Sequence, residues 1–244
     1  MARPGIHHFV NLDHFSDNER VIINNLSKEW YITTGGGEIF LGASSKYKYF
    51  LMRPIDIYRE MFNFDRDLVV IFSPYESFQS RTLDSFDYVT EKYEKLRIEK
   101  ICGVLISQDL EIEEKLKKLL KNEQEALVVV PFTYNELLDI NNDYFIRNRF
   151  KSHFYTRDLF AFESPLKKEI FFFGRHDLIH NIVNRHLSNE NSGLFGLRKT
   201  GKTSVIYGIQ RILAKANSKS IFIDCQNPAF HRRRWNQGVN TFFS

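Results

Sequence analysis

The first 130 residues alternate between short, continuously apolar runs and longer stretches in which apolar residues recur every three to four positions. The apolar runs are residues 68–72, 101–106 and 126–130. Each has the length of a strand that is covered on both faces. Residues 81–95 and 110–120 lie between them and carry one apolar face, which is typical of amphipathic helices. The alternation predicts an α/β domain in which at least part of the sheet is parallel.

Two local signals organise the chain ahead of these strands. Ser16 followed by Glu19 is a capping-box pattern, and the apolar spacing after it predicts a helix over residues 17–26. The glycine triplet at 35–37 indicates a turn, and the apolar and aromatic residues after it, as far as position 52, predict a hairpin. No lysine and no helix start follow the triplet, so we interpret it as a turn and not as a phosphate-binding loop.

The middle of the chain marks a domain boundary. Residues 137–154 have the spacing of a helix that an Asn-Asn pair interrupts, and residues 158–168 have the composition of a connector. We therefore divide the chain into an N-terminal α/β domain over residues 1–156, a connector over residues 157–170 and a second domain over residues 171–244.

Composition places the chain among ordinary globular proteins. Of its 244 residues, 43% are hydrophobic and 26% are charged, which argues against disorder and against a fibrous repeat. The formal charge of +4 only weakly indicates a nucleic-acid partner. No apolar run approaches the roughly 18 residues of a membrane helix, and no apolar secretory stretch follows Met1. Cys102 and Cys225 form neither a disulfide framework nor a zinc site, so we expect a cytoplasmic protein without a membrane partner.

The strongest chemical signal is a stretch of nine residues in the second domain. They are Gly196, Leu197, Arg198, Lys199, Thr200, Gly201, Lys202, Thr203 and Ser204. The stretch matches the phosphate-loop pattern G-x-x-x-x-G-K-[ST] at every fixed position. The apolar pair at 194–195 predicts a short strand before it, and the apolar spacing over residues 205–212 predicts a helix after it. A glycine-rich loop that leads into a helix N-terminus is an arrangement that binds phosphate groups.

Each fixed residue of the pattern has a role in binding Mg²⁺-ATP. Gly196 and Gly201 allow the backbone to curl so that consecutive amides face an anion. Lys202 is expected to reach the β- and γ-phosphate oxygens, Thr203 to ligate Mg²⁺ through its hydroxyl, and Ser204 to contact the α-phosphate. ATP and Mg²⁺ are therefore the expected cofactors.

The residues before the loop carry a family resemblance. Residues 171–175 end in an F-x-G-R element, and the phosphate loop begins about twenty residues later. This combination resembles the start of the ATPase domain in STAND-type signal-transduction ATPases and their archaeal ATPase relatives, over residues 171–235. The resemblance implies a doubly wound parallel sheet. It also implies that Phe173, Gly174 and Arg175 lie on the nucleobase side of the site.

The same family places the metal-binding acid on a later strand. Residues 220–225 resemble the strand after the phosphate-loop helix, and Asp224 at its end comes too soon to be that acid, so we interpret it as structural. Only 40 residues follow Ser204. We therefore expect residues 171–244 to be the first part of a P-loop NTPase, truncated, and we expect hydrolysis only if a full-length chain supplies the missing region.

The N-terminal domain carries no comparable motif. A nuclease of the PD-(D/E)xK kind needs an acid and, on the next strand, an acid-x-Lys pair that together hold a metal ion. Asp67 precedes a predicted strand, but no acid-x-Lys strand follows it. Glu111, Glu113 and Lys115 fall in a predicted helix, where they are interpreted as a solvated face.

Two segments stand where predicted strands end. Residues 73–76 (Ser-Pro-Tyr-Glu) follow the first apolar run, and residues 131–134 (Pro-Phe-Thr-Tyr) follow the third. Because α/β sheets commonly bind ligands beyond the ends of their strands, the two segments either line one cleft or form two ordinary turns. His7, His8 and His14 lack the carboxylate or cysteine partners of a metal site and are interpreted as surface residues.

Three functions are compatible with these patterns. The first is a cytosolic, Mg²⁺-dependent ATP-binding switch of STAND type, whose nucleotide state controls self-assembly or a protein partner and whose N-terminal domain is an effector or sensor. The second is a nucleic-acid-processing enzyme in which the ATPase gates a divergent N-terminal nuclease. The third is a non-catalytic interaction module. The phosphate loop favours the first.

Overall fold

The structure is a computed structural model, and it describes residues 4–42, 45–121, 125–140, 142, 144–155, 165–167, 172 and 174–223 of the chain. The chain forms two compact units, Met1–Ser164 and Pro165–Ser244, which we call the N-terminal and the C-terminal unit. Most of the predicted connector lies outside the described residues. No helix in the described part of the chain is both long enough and apolar enough to cross a membrane.

A six-stranded mixed sheet forms the centre of the N-terminal unit. Its strands, which have the same order in the sheet as in the chain, are β1 (Gly5–Ile6), β2 (Trp30–Leu41), β3 (Ser45–Pro54), β4 (Leu68–Ser73), β5 (Cys102–Ser107) and β6 (Val128–Thr133). β1 and β2 are parallel, β2 and β3 form an antiparallel hairpin, and β3 is antiparallel to β4. β4, β5 and β6 are parallel to one another. The predictions of an α/β domain and of a partly parallel sheet are confirmed.

The three parallel strands are buried along their whole length. Every residue of β4, β5 and β6 is buried, which explains why each strand is a continuous apolar run in the sequence. Successive side chains of a strand point to opposite faces of the sheet. Val70 and Val104 accordingly belong to one hydrophobic core, and Val69 and Leu105 belong to a second.

Helices cover both faces of the sheet. They are α1 (Asp17–Leu26), α2 (Asp56–Phe62), α3 (Asp84–Lys92), which a 3₁₀ turn (Ser80–Leu83) precedes, α4 (Ile112–Leu120), α5 (Tyr134–Leu138) and α6 (Phe145–Phe154). α1, α2, α5 and α6 contribute to the core that contains Val70, on what we call the α1 face. α3 and α4 contribute to the core that contains Val69, on the α4 face. The predicted start of α1 is confirmed, because Ser16 and Glu19 make both hydrogen bonds of a capping box.

The prediction that the glycine triplet forms a turn is wrong, because β2 runs through it. The pairing of β2 with β3 is irregular around the triplet, as in a β-bulge. A Cβ atom on Gly35 would lie 2.5 Å from Phe50 Cα, and one on Gly36 would lie 1.8 Å from the Asn11 carbonyl oxygen. Glycine is therefore needed where two other backbone segments approach the strand, and both glycines adopt positive φ, 120° and 88°.

The prediction that residues 131–133 leave the third parallel strand is also wrong. β6 extends to Thr133, so only Tyr134 of that segment lies beyond the strand. Proline is tolerated at position 131 because β6 is an edge strand among the described strands, where a missing amide donor costs little.

The long helix that was predicted over residues 137–154 is two helices. α5 ends at Leu138 and α6 begins at Phe145. Between them, the Asn142 side chain accepts a hydrogen bond from the Tyr144 backbone amide at 2.8 Å. Local bonds of this kind compete with helical hydrogen bonds, which explains why the helix does not continue through Asn142.

The described part of the C-terminal unit contains two helices, α7 (His176–Leu187) and α8 (Lys202–Lys215). They pack through a small apolar core that includes Ile179 and Val205. The predicted helix after the phosphate loop is thus confirmed. Among the described residues, neither 194–195 nor 220–223 forms a strand. Asp224 and Cys225 lie outside the described residues, and the doubly wound sheet stays a prediction.

Candidate functional site

The predicted phosphate loop, residues 196–204, leads directly into the N-terminus of α8. Gly201 is the residue before the helix, and its φ of 79° lies in the left-handed region that favours glycine. No side chain caps this end of α8. Since the first amides of a helix have no intrahelical acceptor, they are free to bind an anion, and the helix dipole favours a negative charge at the same place.

Side-chain donors hold the loop in a closed shape. The Lys202 Nζ atom donates hydrogen bonds to the carbonyl oxygens of Gly196 at 2.9 Å and Leu197 at 2.6 Å. The Thr200 hydroxyl donates to the Leu197 carbonyl oxygen at 2.8 Å. The ammonium group of Lys202 therefore already lies against the loop, bound to backbone oxygens that a phosphate oxygen can replace.

Arg175 is a further support of the loop. Its Nη1 atom donates a hydrogen bond to the Thr200 carbonyl oxygen at 2.7 Å. Gly174 and Arg175 both have positive φ, 76° and 54°, directly before α7. The family resemblance implied a place for both residues on the nucleobase side, whereas the described contact of Arg175 is with the loop itself. Phe173, the third residue of that group, lies outside the described residues.

The remaining residues of the motif differ in exposure. Leu197, Arg198 and Lys199 are exposed, and Thr203 is partly buried in the first turn of α8. Ser204 is buried, and its Oγ atom accepts a hydrogen bond from the Leu166 backbone amide at 2.9 Å. Thr203 is thus the more accessible of the two hydroxyl residues at the start of α8, while the oxygen of Ser204 serves a contact inside the unit.

The sequence-based candidates for nuclease chemistry do not assemble into a metal site. Asp67 is buried and accepts hydrogen bonds from Arg53 Nε at 2.7 Å and from the Thr33 hydroxyl at 2.8 Å. On the β2–β3 hairpin, Glu38 pairs in register with Lys48 and makes an ion pair with Lys46 at 2.6 Å. β3 carries Lys46-Tyr47-Lys48, so a lysine occupies the position at which an acid-x-Lys pair has its acid. Within the described ranges, no group of three or more His, Cys, Asp or Glu side chains is placed to hold a metal ion.

A crevice of about 650 Å³ lies beyond the carboxyl ends of the parallel strands of the N-terminal unit. We call it the strand-end crevice. Glu76, from the segment after β4, and Tyr134, from the segment after β6, both line it. Of the two segments that were predicted to follow strand ends, one residue each, Glu76 and Tyr134, lines this cleft. Residues 108–111, after β5, form a third part of the wall.

The crevice opens because neighbouring connections leave the sheet in opposite directions. The chain after β5 turns to α4, which packs on the α4 face through Ile112 and Leu116. The chain after β6 turns to α5, which packs on the α1 face through Leu137. Connections that diverge at strand ends leave a gap between them, and α/β sheets bind ligands in such gaps.

A buried acid lies beneath the wall of the crevice on the α1 face. Glu19 is 2% exposed and accepts hydrogen bonds from Lys48 Nζ at 2.6 Å and from the Tyr134 hydroxyl at 2.9 Å. Burial, followed by the effect of the Glu19 carboxylate, raises the pKa of Tyr134 above its usual range. From the sequence, Glu19 is identified only as part of a capping box. Its partners Lys48 and Tyr134 lie 29 and 115 positions away, so no local sequence pattern indicates these contacts.

Asp109 fixes the opposite wall. Its carboxylate accepts hydrogen bonds from Lys115 Nζ at 2.8 Å and from the backbone amides of Phe78 at 2.7 Å and Glu111 at 2.9 Å. Burial raises the pKa of Asp109, but the hydrogen bonds from Lys115 and the two amides outweigh it, and the net pKa is lowered. The interpretation of Lys115 as part of a merely solvated helix face is therefore incomplete, because Lys115 holds an acid in the wall.

Comparison with known proteins does not assign a family to this chain, since no family model, no curated protein and no solved structure matches it. The resemblance to STAND-type ATPases stays a prediction from the residues of the loop and of the F-x-G-R element.

Proposed function

We propose that the chain binds a magnesium nucleotide, expected to be ATP, at the loop from Gly196 to Ser204, as the switch module of a STAND-like protein. The observation that carries the proposal is the left-handed Gly201 at the uncapped start of α8, with the Lys202 ammonium group already inside the loop. This combination offers backbone amides, a positive charge and a helix dipole to the same anion. The donors fit a polyphosphate.

In the proposed complex each residue has a separate task. The amides at the start of α8 bind the β-phosphate oxygens, and Lys202 exchanges its two carbonyl acceptors for phosphate oxygens. The Thr203 hydroxyl ligates Mg²⁺, which neutralises charge on the phosphates. Arg175 acts indirectly, because its hydrogen bond to the Thr200 carbonyl oxygen fixes the loop just before Gly201.

The proposal concerns binding. Hydrolysis additionally needs an acid or a polar residue that orients the attacking water. The resemblance to STAND-type ATPases implies that the acid lies on a later strand. The N-terminal unit would then deliver or receive the signal that nucleotide binding creates, in the cytoplasm. The alternative of a divergent N-terminal nuclease that the ATPase gates has less support, because the described residues bring together no group of three or more His, Cys, Asp or Glu side chains that could hold a metal ion.

A phosphate-length series tests the proposal. AMP, ADP and ATP are titrated into the full chain by calorimetry, each with and without Mg²⁺. Because the proposal assigns the loop amides and Lys202 to the β- and γ-phosphates, ADP and ATP should bind at least about tenfold more tightly than AMP, which corresponds to one charge-assisted hydrogen bond. Equal affinity for AMP and ADP would mean that the loop does not hold the β-phosphate.

A further inference from the structure

We propose that the strand-end crevice binds a small organic cation, an amine or guanidinium group on a short aliphatic chain. The inference concerns the N-terminal unit and is independent of nucleotide binding at the loop. It rests on the position of the crevice, on its preformed wall and on the chemistry of the side chains that line it.

The position of the crevice is the first observation. It lies where the connection after β5 leaves to the α4 face and the connection after β6 leaves to the α1 face. A gap of this origin is part of the architecture, because both helices are anchored in separate hydrophobic cores and neither can close over the strand ends. Its volume of about 650 Å³ is within the range of small-molecule sites.

The wall of the crevice is fixed before any ligand arrives. Asp109 is 2% exposed, and its carboxylate accepts hydrogen bonds from Lys115 and from the backbone amides of Phe78 and Glu111. The bond from Phe78 connects the segment after β4 to the segment after β5. On the other side, the Tyr134 hydroxyl is held by the buried carboxylate of Glu19. A site whose walls are already ordered loses little conformational entropy on binding.

The balance of charge among the lining side chains decides the class of ligand, because three carboxylates (Glu76, Asp109 and Glu111) face one lysine. Glu76 and Glu111 line the crevice, and both are exposed. Among the described residues that line the crevice, the only cationic side chain is Lys115, which is already paired with Asp109 at 2.8 Å and Glu111 at 3.3 Å. The excess of negative charge disfavours phosphates and carboxylates and favours a cation.

The lining also has an apolar part and neutral polar groups. Leu110 is 70% exposed beside the carboxylates, and Leu138 is partly buried in the opposite wall. The amide side chains of Asn18, Gln108 and Asn135 add hydrogen-bond acceptors. A short aliphatic chain packed on the leucines, with its charged end at Glu76 or Glu111, uses both kinds of surface.

The test uses putrescine as the probe and 1,4-butanediol as its neutral analogue, each titrated into the full chain by calorimetry. We expect putrescine to bind at one site and butanediol to bind at least about tenfold more weakly, since only the diamine can form charge-assisted hydrogen bonds. No binding of putrescine, or equal binding of the two probes, would overturn the proposal.

Matched variants locate the site. Glu76→Gln removes one negative charge from the segment after β4 and keeps the shape of the side chain. Glu111→Gln does the same in the segment after β5. Each should weaken putrescine about fivefold, as expected for one exposed ion pair, whereas Glu60→Gln, an exposed glutamate of α2, should leave the affinity within about twofold. If Glu76→Gln and Glu111→Gln bind putrescine as well as the unaltered chain, the site is elsewhere and the proposal is wrong.

One variant separates this proposal from the proposed function. Lys202→Ala should weaken nucleotide binding at the loop by about tenfold to a hundredfold and leave putrescine binding unchanged, because Lys202 is not among the residues that line the crevice. Loss of putrescine binding in this variant would contradict the assignment of the cation to the strand-end crevice.

Discussion

Glu19→Ala should destabilise the N-terminal unit more than any change in an exposed ion pair. Glu19 is 2% exposed and receives hydrogen bonds from Lys48, Tyr134 and the Ser16 backbone amide. Without the carboxylate, the Lys48 ammonium group loses its counter-ion while its side chain is only 19% exposed. The Tyr134 hydroxyl loses its acceptor in a buried position at the same time.

The magnitude follows from these contacts. Removing one partner of a buried ion pair costs about 3–5 kcal/mol, and leaving a buried hydroxyl without an acceptor costs about 1–3 kcal/mol. The two costs overlap because they involve the same carboxylate, so they do not add. Lys48 retains some access to water, which places the expected loss of unfolding free energy near the lower end, at about 3 kcal/mol. Glu19→Ala combined with Lys48→Met should lose less than Glu19→Ala alone, because no unpaired charge remains.

The assay must report on one unit, since two units can unfold separately and a single transition then has no defined free energy. Urea denaturation followed by the fluorescence of Trp30, which is fully buried in the N-terminal unit, meets this need in a Trp235→Phe background. Asp65→Ala is the matched control, because its ion pair with Arg97 at 3.0 Å is exposed and should contribute at most about 1 kcal/mol. If Glu19→Ala costs no more than Asp65→Ala, the buried network does not hold the unit together.

Two further predictions use the same assay. Gly36→Ala should prevent folding of the N-terminal unit or cost more than about 3 kcal/mol, because its Cβ atom would lie 1.8 Å from the Asn11 carbonyl oxygen, whereas Gly5→Ala, with no atom within 4 Å of the new Cβ, should be close to neutral. Asp109→Asn should lower stability at neutral pH, and its difference from the unaltered chain should shrink as pH falls below about 3.9, the unfolded pKa of an aspartate. The sign follows from the lowered pKa of Asp109, since a carboxyl group with a lowered pKa stabilises the folded state above the unfolded pKa and loses this effect as it is protonated. A difference that stays constant across that range would contradict the role of the Asp109 charge.

Local signals predicted the elements of the N-terminal unit well. The strands β4, β5 and β6 were recognisable because burial on both faces demands apolar residues at every position. α1 was recognisable because its capping box is a pattern of only four residues. The glycine triplet was misinterpreted, because the reason for glycine there is a close approach of Asn11 and Phe50, which no sequence window around the triplet contains.

The two candidate sites also differ in how far local sequence patterns could predict them. The phosphate loop is contiguous, so its residues could be predicted from spacing, although the contact of Arg175 with Thr200 could not. The strand-end crevice gathers residues from four segments between Asn18 and Leu138. Sequence reasoning brought Glu76 and Tyr134 together as one of two alternatives, but the buried Glu19 and Lys48 behind them depend on tertiary packing alone.

Calorimetric titration of Mg²⁺-ATP into the full chain, its Lys202→Ala variant and its Lys219→Ala variant tests nucleotide binding at the loop most directly. Lys202 is bound to the loop carbonyls, while Lys219 is an exposed lysine beyond the end of α8, so the two substitutions remove the same charge from different places. Loss of a charge-assisted contact to phosphate should weaken binding by about tenfold to a hundredfold in Lys202→Ala, and Lys219→Ala should stay within about twofold. Binding that is absent in the unaltered chain, or equal in all three proteins, would contradict the proposed phosphate site.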